Sequence, residues 1–192
     1  MAADLITILG IAGSLRKDSY NKAALRYAQT VCPQGAKLEV YDIAGLPMFN
    51  QDEEQKPTPA VIDFKKAVRA ADALLFSTAE YNYGIPGVLK NAIDVGSRPY
   101  GDSAWNGKPV AIMSSAMGAA GGIRAQIQLR QYFVFLNMDA VVQPEVAIPA
   151  AHQRFDAGGN LTDETSKKLI AQLVQSLVTK VTRLRQPLRA AA

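Results

Sequence analysis

The sequence predicts a three-layer α/β sandwich, a five-stranded parallel sheet covered by helices on both faces, and three observations carry that expectation. Apolar runs at Leu5–Leu9, Leu38–Tyr41, Ala73–Phe76, Val110–Met113 and Ala140–Val142 are short, nearly continuous and rich in branched residues, as strands buried on both faces must be. Between them lie longer stretches whose apolar residues recur at helical spacing. The first, third and fourth runs empty into loops of unusual composition. In a sheet of order 2-1-3-4-5 those three strands are neighbours, so their loops meet on one rim.

The elements follow in order. After the first strand, the first helix is expected from about Asn21 to Val31, with Ala24, Tyr27, Ala28 and Val31 on one stripe and Pro33 beyond its end. The second begins at Thr58-Pro59, a capping residue followed by proline in the first turn, and carries Val61, Phe64, Val68 and Ala71. Ile43 to Pro57, with glycine, prolines and the acids Asp52, Glu53 and Glu54, reads as a long surface connection. A third helix runs from Gly87 to about Val95 and a fourth from Gly122 to about Asn137. In the fourth, Tyr132 to Leu136 is apolar all the way round, which a helix at a monomer surface does not tolerate, so self-association is expected there. The last helix is capped by Thr162, has Asp163 and Glu164 in its first turn, buries a stripe from Leu169 to Val181, and is stopped by Pro187.

With 192 residues, 48% of them hydrophobic, the chain reads as a single domain spanning 1–192 that buries roughly 70% of its unfolded surface. No apolar run approaches the roughly 20 residues of a membrane span, and the start lacks a basic segment followed by an apolar core; a cytoplasmic protein is the expectation. Cys32 is the only cysteine, which excludes an internal disulfide or a cysteine zinc cluster. The net charge of +4 is uneven: residues 165 to 192 hold six bases and no acid, leaving 15 bases against 17 acids elsewhere. A basic helix face of this kind is ordinarily solvated, and nucleic-acid binding gains little support.

Chemistry concentrates in the three loops. Gly10 to Asn21 offers glycine backbone, the hydroxyls of Ser14 and Ser19, the cationic fork of Arg16, and the start of a helix near Asn21, together a cradle for a terminal phosphate. No G-K-[ST] closes it and no third glycine follows at dinucleotide spacing, so a monophosphate fits better than a triphosphate or pyrophosphate. The second loop, Thr78 to Gly87, supplies Glu80, Tyr81, Asn82 and Tyr83, two aromatic rings and polar groups suited to a flat heteroaromatic ring. The third, Ser114 to Gly122, including Ser115 and Gly118, has small side chains that let backbone approach such a ring. It opens the fourth helix, whose N-terminus favours negative charge on a reduced ring.

These residues carry a resemblance. Gly13-Ser14-Leu15-Arg16 with Ser19 and Asn21, the run Glu80-Tyr81-Asn82 through Pro86-Gly87-Val88-Leu89-Lys90-Asn91-Ala92-Ile93-Asp94, and the loop ending at Gly121-Gly122 are similar to motifs of the NAD(P)H-dependent FMN reductases of flavodoxin-like fold, the group that includes bacterial quinone and chromate reductases. Two positions depart from the family pattern, Ala79 for proline and Val95 for tryptophan. The resemblance implies FMN phosphate contacts from Ser14, Arg16, Ser19 and Asn21, and ring or ribityl contacts from Glu80, Tyr81, Asn82, Tyr83, Ser115 and Gly118. It implies hydride passing from NAD(P)H to FMN, then electrons to quinones or to acceptors such as chromate in a ping-pong sequence, and a homodimer or homotetramer.

No metal site is expected, since the adjacent acids Asp52, Glu53 and Glu54 point in different directions on a solvated loop, and no general acid or base, since the cofactor performs the chemistry. Arg98 or Lys90 could draw an oxyanion acceptor, and Arg124 could pair with Glu145 across a subunit contact. His152, the only histidine, is expected at the surface, and Trp105 and Tyr100 at a rim. A flavodoxin-like electron carrier and a non-enzymatic flavin or nucleotide sensor are the alternatives from other classes.

Overall fold

The structure is a computed structural model and describes residues 5–186. Strands β1 (Ile6–Gly13), β2 (Ala36–Tyr41), β3 (Ala73–Thr78), β4 (Pro109–Ser115), β5 (Asp139–Ala140) and β6 (Val146–Ile148) alternate with helices α1 (Tyr20–Thr30), α2 (Pro59–Ala70), α3 (Gly87–Ser97), α4 (Ile123–Phe135) and α5 (Glu164–Arg185). The sheet is parallel throughout, in the order β2-β1-β3-β4-β5, with β6 also on β4. Side chains alternate between two apolar faces. Ile8, Leu75 and Met113 meet α1 and α5 through Leu25, Leu173 and Leu177, while Leu9, Leu74, Phe76 and Ile112 meet α2, α3 and α4 through Phe64, Leu89 and Leu129.

The fifth strand departs from the expectation. In place of one strand over Ala140–Val142, β5 pairs only Asp139 and Ala140 with Pro109 and Val110, and pairing resumes at β6, where Val146 to Ile148 face Met113 to Ser115. Val141 donates one last ladder bond to Val110, after which the chain swings out and leaves Val142 exposed. Pro144 has no N–H to give a ladder.

The cap of α5 and the depth of Trp105 also differ from expectation. Asp163, not Thr162, caps α5: its carboxylate accepts the Ser166 N–H at 2.8 Å and the Ser166 hydroxyl at 2.7 Å, whereas the Thr162 hydroxyl donates to the Arg154 carbonyl at 3.0 Å. Those bonds from Ser166, reinforced by Arg154, hold the Asp163 carboxyl below its ordinary value. Pro187, the expected stop, lies outside the described residues. Trp105 lies in the core, not at a rim: it is fully buried, donates its indole N–H to the Ile93 carbonyl at 2.9 Å, and sits edge-on to Phe64. Its ring fills the space where a Cβ on Gly96 would stand, 2.5 Å away. Val95, the departure beside that glycine, packs into the same cluster.

Burial pushes the Cys32 thiol up, and it lies against the Ala28 carbonyl. His152 is exposed, and Tyr100 is exposed. No described helix is long and apolar enough to cross a membrane, and no cluster of metal-ligating side chains occurs among the described residues. On α4, Phe133 is buried, while Val134 and Phe135 are each 83% exposed.

Candidate cofactor site

The carboxyl ends of β1, β3 and β4 lie side by side, with Gly13 opposite Thr78 and Thr78 opposite Ser114. The three loops leaving these ends enclose a cavity of about 900 Å³, within the size range of small-molecule sites. All ten residues singled out from the sequence line it: Ser14, Arg16, Ser19, Asn21, Glu80, Tyr81, Asn82, Tyr83, Ser115 and Gly118. Met117, Arg124 and the backbone of Gly121 and Gly122 line it too.

The first loop is shorter than the sequence suggested. β1 runs on through Gly13, so the turn is Ser14 to Asp18, and Gly10 and Gly13 serve packing rather than ligand approach. A Cβ on Gly13 would come within 2.9 Å of Leu89 on α3. Among the described residues, the backbone N–H groups of Ser14 to Asp18 have no acceptor in the protein. Ser19 caps α1, its oxygen accepting from the N–H of Asn21 at 3.2 Å and of Lys22 at 3.5 Å, which leaves its hydroxyl proton free to donate outward. Arg16 is exposed, with its guanidinium 5.2 Å from the Tyr20 ring centre.

Asn21 has a different employment. Its side chain is buried and clasps β4, accepting the Ser115 N–H at 2.9 Å, donating to the Ser115 carbonyl at 2.9 Å, and accepting the Ser77 hydroxyl at 3.1 Å. It therefore fastens the start of α1 to the ends of β3 and β4. The Ser115 hydroxyl, at the cavity wall, is buried with no partner, an arrangement that costs free energy unless something accepts or donates there.

In the second loop, Tyr81 and Gly84 exchange backbone hydrogen bonds of 2.9 and 3.0 Å around Asn82 and Tyr83, both with positive φ, +50° and +65°. The third loop is held from below: the Ser114 hydroxyl donates to the Gly121 carbonyl at 2.7 Å, and Gln126 donates to Ser114 and to the Val146 carbonyl. Gly122, at φ +90°, admits no side chain, since a Cβ would lie 2.8 Å from that of Ser114. The N–H groups of Met117 to Ala120 have no protein acceptor among the described residues.

The N-terminus of α4 does not stand open, contrary to the sequence expectation. Glu80 occupies it, one carboxylate oxygen accepting the Arg124 N–H at 3.0 Å and the other the Arg124 guanidinium at 2.6 Å. Arg124 is thus committed within its own chain, and the helix charge is met by a protein carboxylate. The sequence alone does not point to this pair, because a contact across 44 residues leaves no local signal. Lys90 and Arg98 do not line the cavity. Lys90 pairs with Asp94 at 2.6 Å, and Arg98 with Glu54 at 2.9 Å, over the Phe49 ring.

A floor of open amides with hydroxyls and a cationic fork, walled by two tyrosines and a loop of small residues, fits a ligand that has an anionic tail and a flat ring. These features place the chain among α/β proteins that hold a mononucleotide at the carboxyl edge of a parallel sheet.

The sequence profile of NADPH-dependent FMN reductases matches residues 6–153, and the chain belongs to that family. It is 47% identical over 184 residues to an NAD(P)H-dependent FMN reductase of Pseudomonas aeruginosa, covering 95% of this chain and 99% of the other. It is 44% identical over 164 residues to a quinone reductase of Pseudomonas putida, covering 85% and 88%. Among solved structures it matches FerB, a flavoenzyme NAD(P)H:(acceptor) oxidoreductase of Paracoccus denitrificans, with a TM-score of 0.84, 31% identity, and coverage of 93% and 98%. The fold is flavodoxin-like, and the chain is an FMN-dependent oxidoreductase with NAD(P)H as electron donor.

Proposed function

We propose that this chain is an NAD(P)H-dependent quinone reductase that holds FMN in the cavity between the β1, β3 and β4 loops. The observation that carries the reading is the meeting, in one cavity, of unpartnered amides at Ser14 to Asp18 with the Ser14 and Ser19 hydroxyls and Arg16, a donor set matched to a phosphate dianion. When bound, FMN supplies the redox chemistry, taking hydride from NAD(P)H and giving electrons to the acceptor. Ser14, Ser19, Arg16 and the open amides grip the phosphate. The Met117 to Ala120 amides and the partnerless Ser115 hydroxyl offer donors to the polar parts of the cofactor, while Asn21 keeps the two sides of the cradle in register.

Tyr81 and Tyr83, 53% and 73% exposed, present aromatic surface at the rim on which flat substrates stack. Quinones suit such a wall, and a quinone reductase is among the relatives of this chain. Chromate has less support, because Lys90 and Arg98, the cations expected to attract an oxyanion, are bound to Asp94 and Glu54. The exposed Val134 and Phe135 on α4 support a homo-oligomer. Initial rates with NAD(P)H and a benzoquinone test the reading. One cavity serving both substrates in turn gives parallel double-reciprocal lines, whereas converging lines, or no quinone-dependent oxidation of NAD(P)H by FMN-loaded protein, contradict it.

A further inference from the structure

We propose that Arg124 is a positioning residue that clamps the Tyr81–Gly84 turn and so sets the aromatic wall against which flat substrates are placed; the inference deepens the quinone-reductase reading and rests on it. The turn has a conformation its sequence does not favour. Two successive residues with positive φ are the province of glycine and asparagine. Asn82 satisfies that preference and Tyr83, at φ +65°, does not. The strain falls on a residue that is 73% exposed at the cavity rim, and a strained segment persists only where its surroundings determine it.

Those surroundings belong to one face of α4. The Arg124 guanidinium carbon lies 4.0 Å from the Tyr83 ring centre, close enough for the flat cation to cover the ring. The same guanidinium and the Arg124 N–H hold the Glu80 carboxylate at 2.6 and 3.0 Å, fixing the residue that enters the turn. One helical turn on, the Gln128 side-chain oxygen accepts the Ile85 N–H at 2.7 Å and fills the space beside Gly84, where a Cβ would meet it at 2.9 Å. Arg124 and Gln128, spaced i to i+4, share a helix face and grip the turn at its two ends. Because α4 follows directly on Gly121-Gly122 at the end of the third loop, Arg124 also ties the second loop to the third. The phosphate cradle at Ser14, Arg16 and Ser19 shares none of these bonds.

Amide hydrogen exchange in the cofactor-free protein, combined with steady-state kinetics of the FMN-loaded enzyme, tests the proposal. In Arg124→Ala the Gly84 and Ile85 amides are expected to exchange at least tenfold faster than in the unaltered protein, while amides of β3 keep their rates. The Ile85 N–H is bonded to Gln128 and not to Arg124, so its acceleration reports on the turn as a whole. In the loaded enzyme the KM for the quinone rises at least fivefold with a smaller change in kcat, and FMN affinity falls less than threefold. Arg124→Lys, which keeps the cation without the flat fork, carries the same test should the alanine variant not fold, with at least threefold faster exchange at Gly84. Unaltered exchange at Gly84 and Ile85, or an FMN affinity that drops as far as the quinone KM rises, overturns the proposal. The exchange readout involves neither FMN nor quinone, so a protein that turns over no quinone refutes the functional reading and leaves the result on the clamp distinct.

Discussion

Arg16→Ala is expected to weaken FMN binding by about ten- to a hundredfold while leaving the cofactor-free protein almost as stable as before. Charge-assisted hydrogen bonds contribute roughly 1.5–3 kcal/mol, and each 1.4 kcal/mol is a factor of ten in affinity. Arg16 is exposed and makes one ring contact, with Tyr20, so the fold loses little when it is truncated; surface substitutions of this kind change stability by about 0.5 kcal/mol or less. The two effects separate cleanly in one pair of measurements, quenching of flavin fluorescence during titration and thermal unfolding of the cofactor-free protein. Arg16→Lys keeps the charge and gives up the two-pronged geometry, so its affinity falls between the two. Equal affinities for the alanine variant and the unaltered chain remove Arg16 from the phosphate cradle.

Asn21→Leu has the largest expected effect on stability. Leucine keeps the branching of asparagine at Cγ but is bulkier and bonds to nothing, which strands the Ser115 N–H and carbonyl and the Ser77 hydroxyl inside the protein. A buried polar group left without a partner costs about 1–3 kcal/mol, and some of the three relax toward the cavity, so a net loss of about 2–4 kcal/mol is expected. For a domain of this size that lowers the melting temperature by roughly 5–15 °C. FMN affinity falls with it, since Asn21 joins the cap of α1 to the end of β4, the two sides of the cradle. Asn21→Asp keeps the acceptor for Ser115 and Ser77, loses the bond to the Ser115 carbonyl, and adds a negative charge beside the phosphate position. It is therefore expected to harm FMN binding more than its effect on stability would suggest. A leucine variant that melts with the unaltered protein would show that the clasp contributes nothing.

Much of the architecture is legible in the sequence because it depends on local patterns. The short apolar runs place β1 to β4, and the sheet order brings Ser14, Tyr81 and Ser115 to one cavity, since loops after neighbouring parallel strands have nowhere else to go. What escapes is non-local or competitive. Asn21 is legible as a cavity residue, yet its bonds to Ser115 span 94 positions, and an asparagine after a serine cap reads equally well as a ligand donor. Arg124 meets Glu80 only once α4 has packed beside the second loop. Thr162 and Asp163 are both good caps, and the choice falls to the one whose carboxylate reaches Ser166, because Arg154 offers its carbonyl to the threonine hydroxyl. The break between β5 and β6 is announced only by Pro144, and the depth of Trp105 only by Gly96 beneath it.

On the function proposed above, these loops seat FMN so that NAD(P)H reduces it. The visible absorption spectrum of the purified protein, supplied with FMN and freed of excess, followed by anaerobic addition of NAD(P)H, reads both the seating and the reduction. The expected preparation is yellow, and its flavin band bleaches on addition of the nucleotide. A preparation that stays colourless after exposure to FMN, or a flavin band that persists under excess NADH and NADPH, contradicts it.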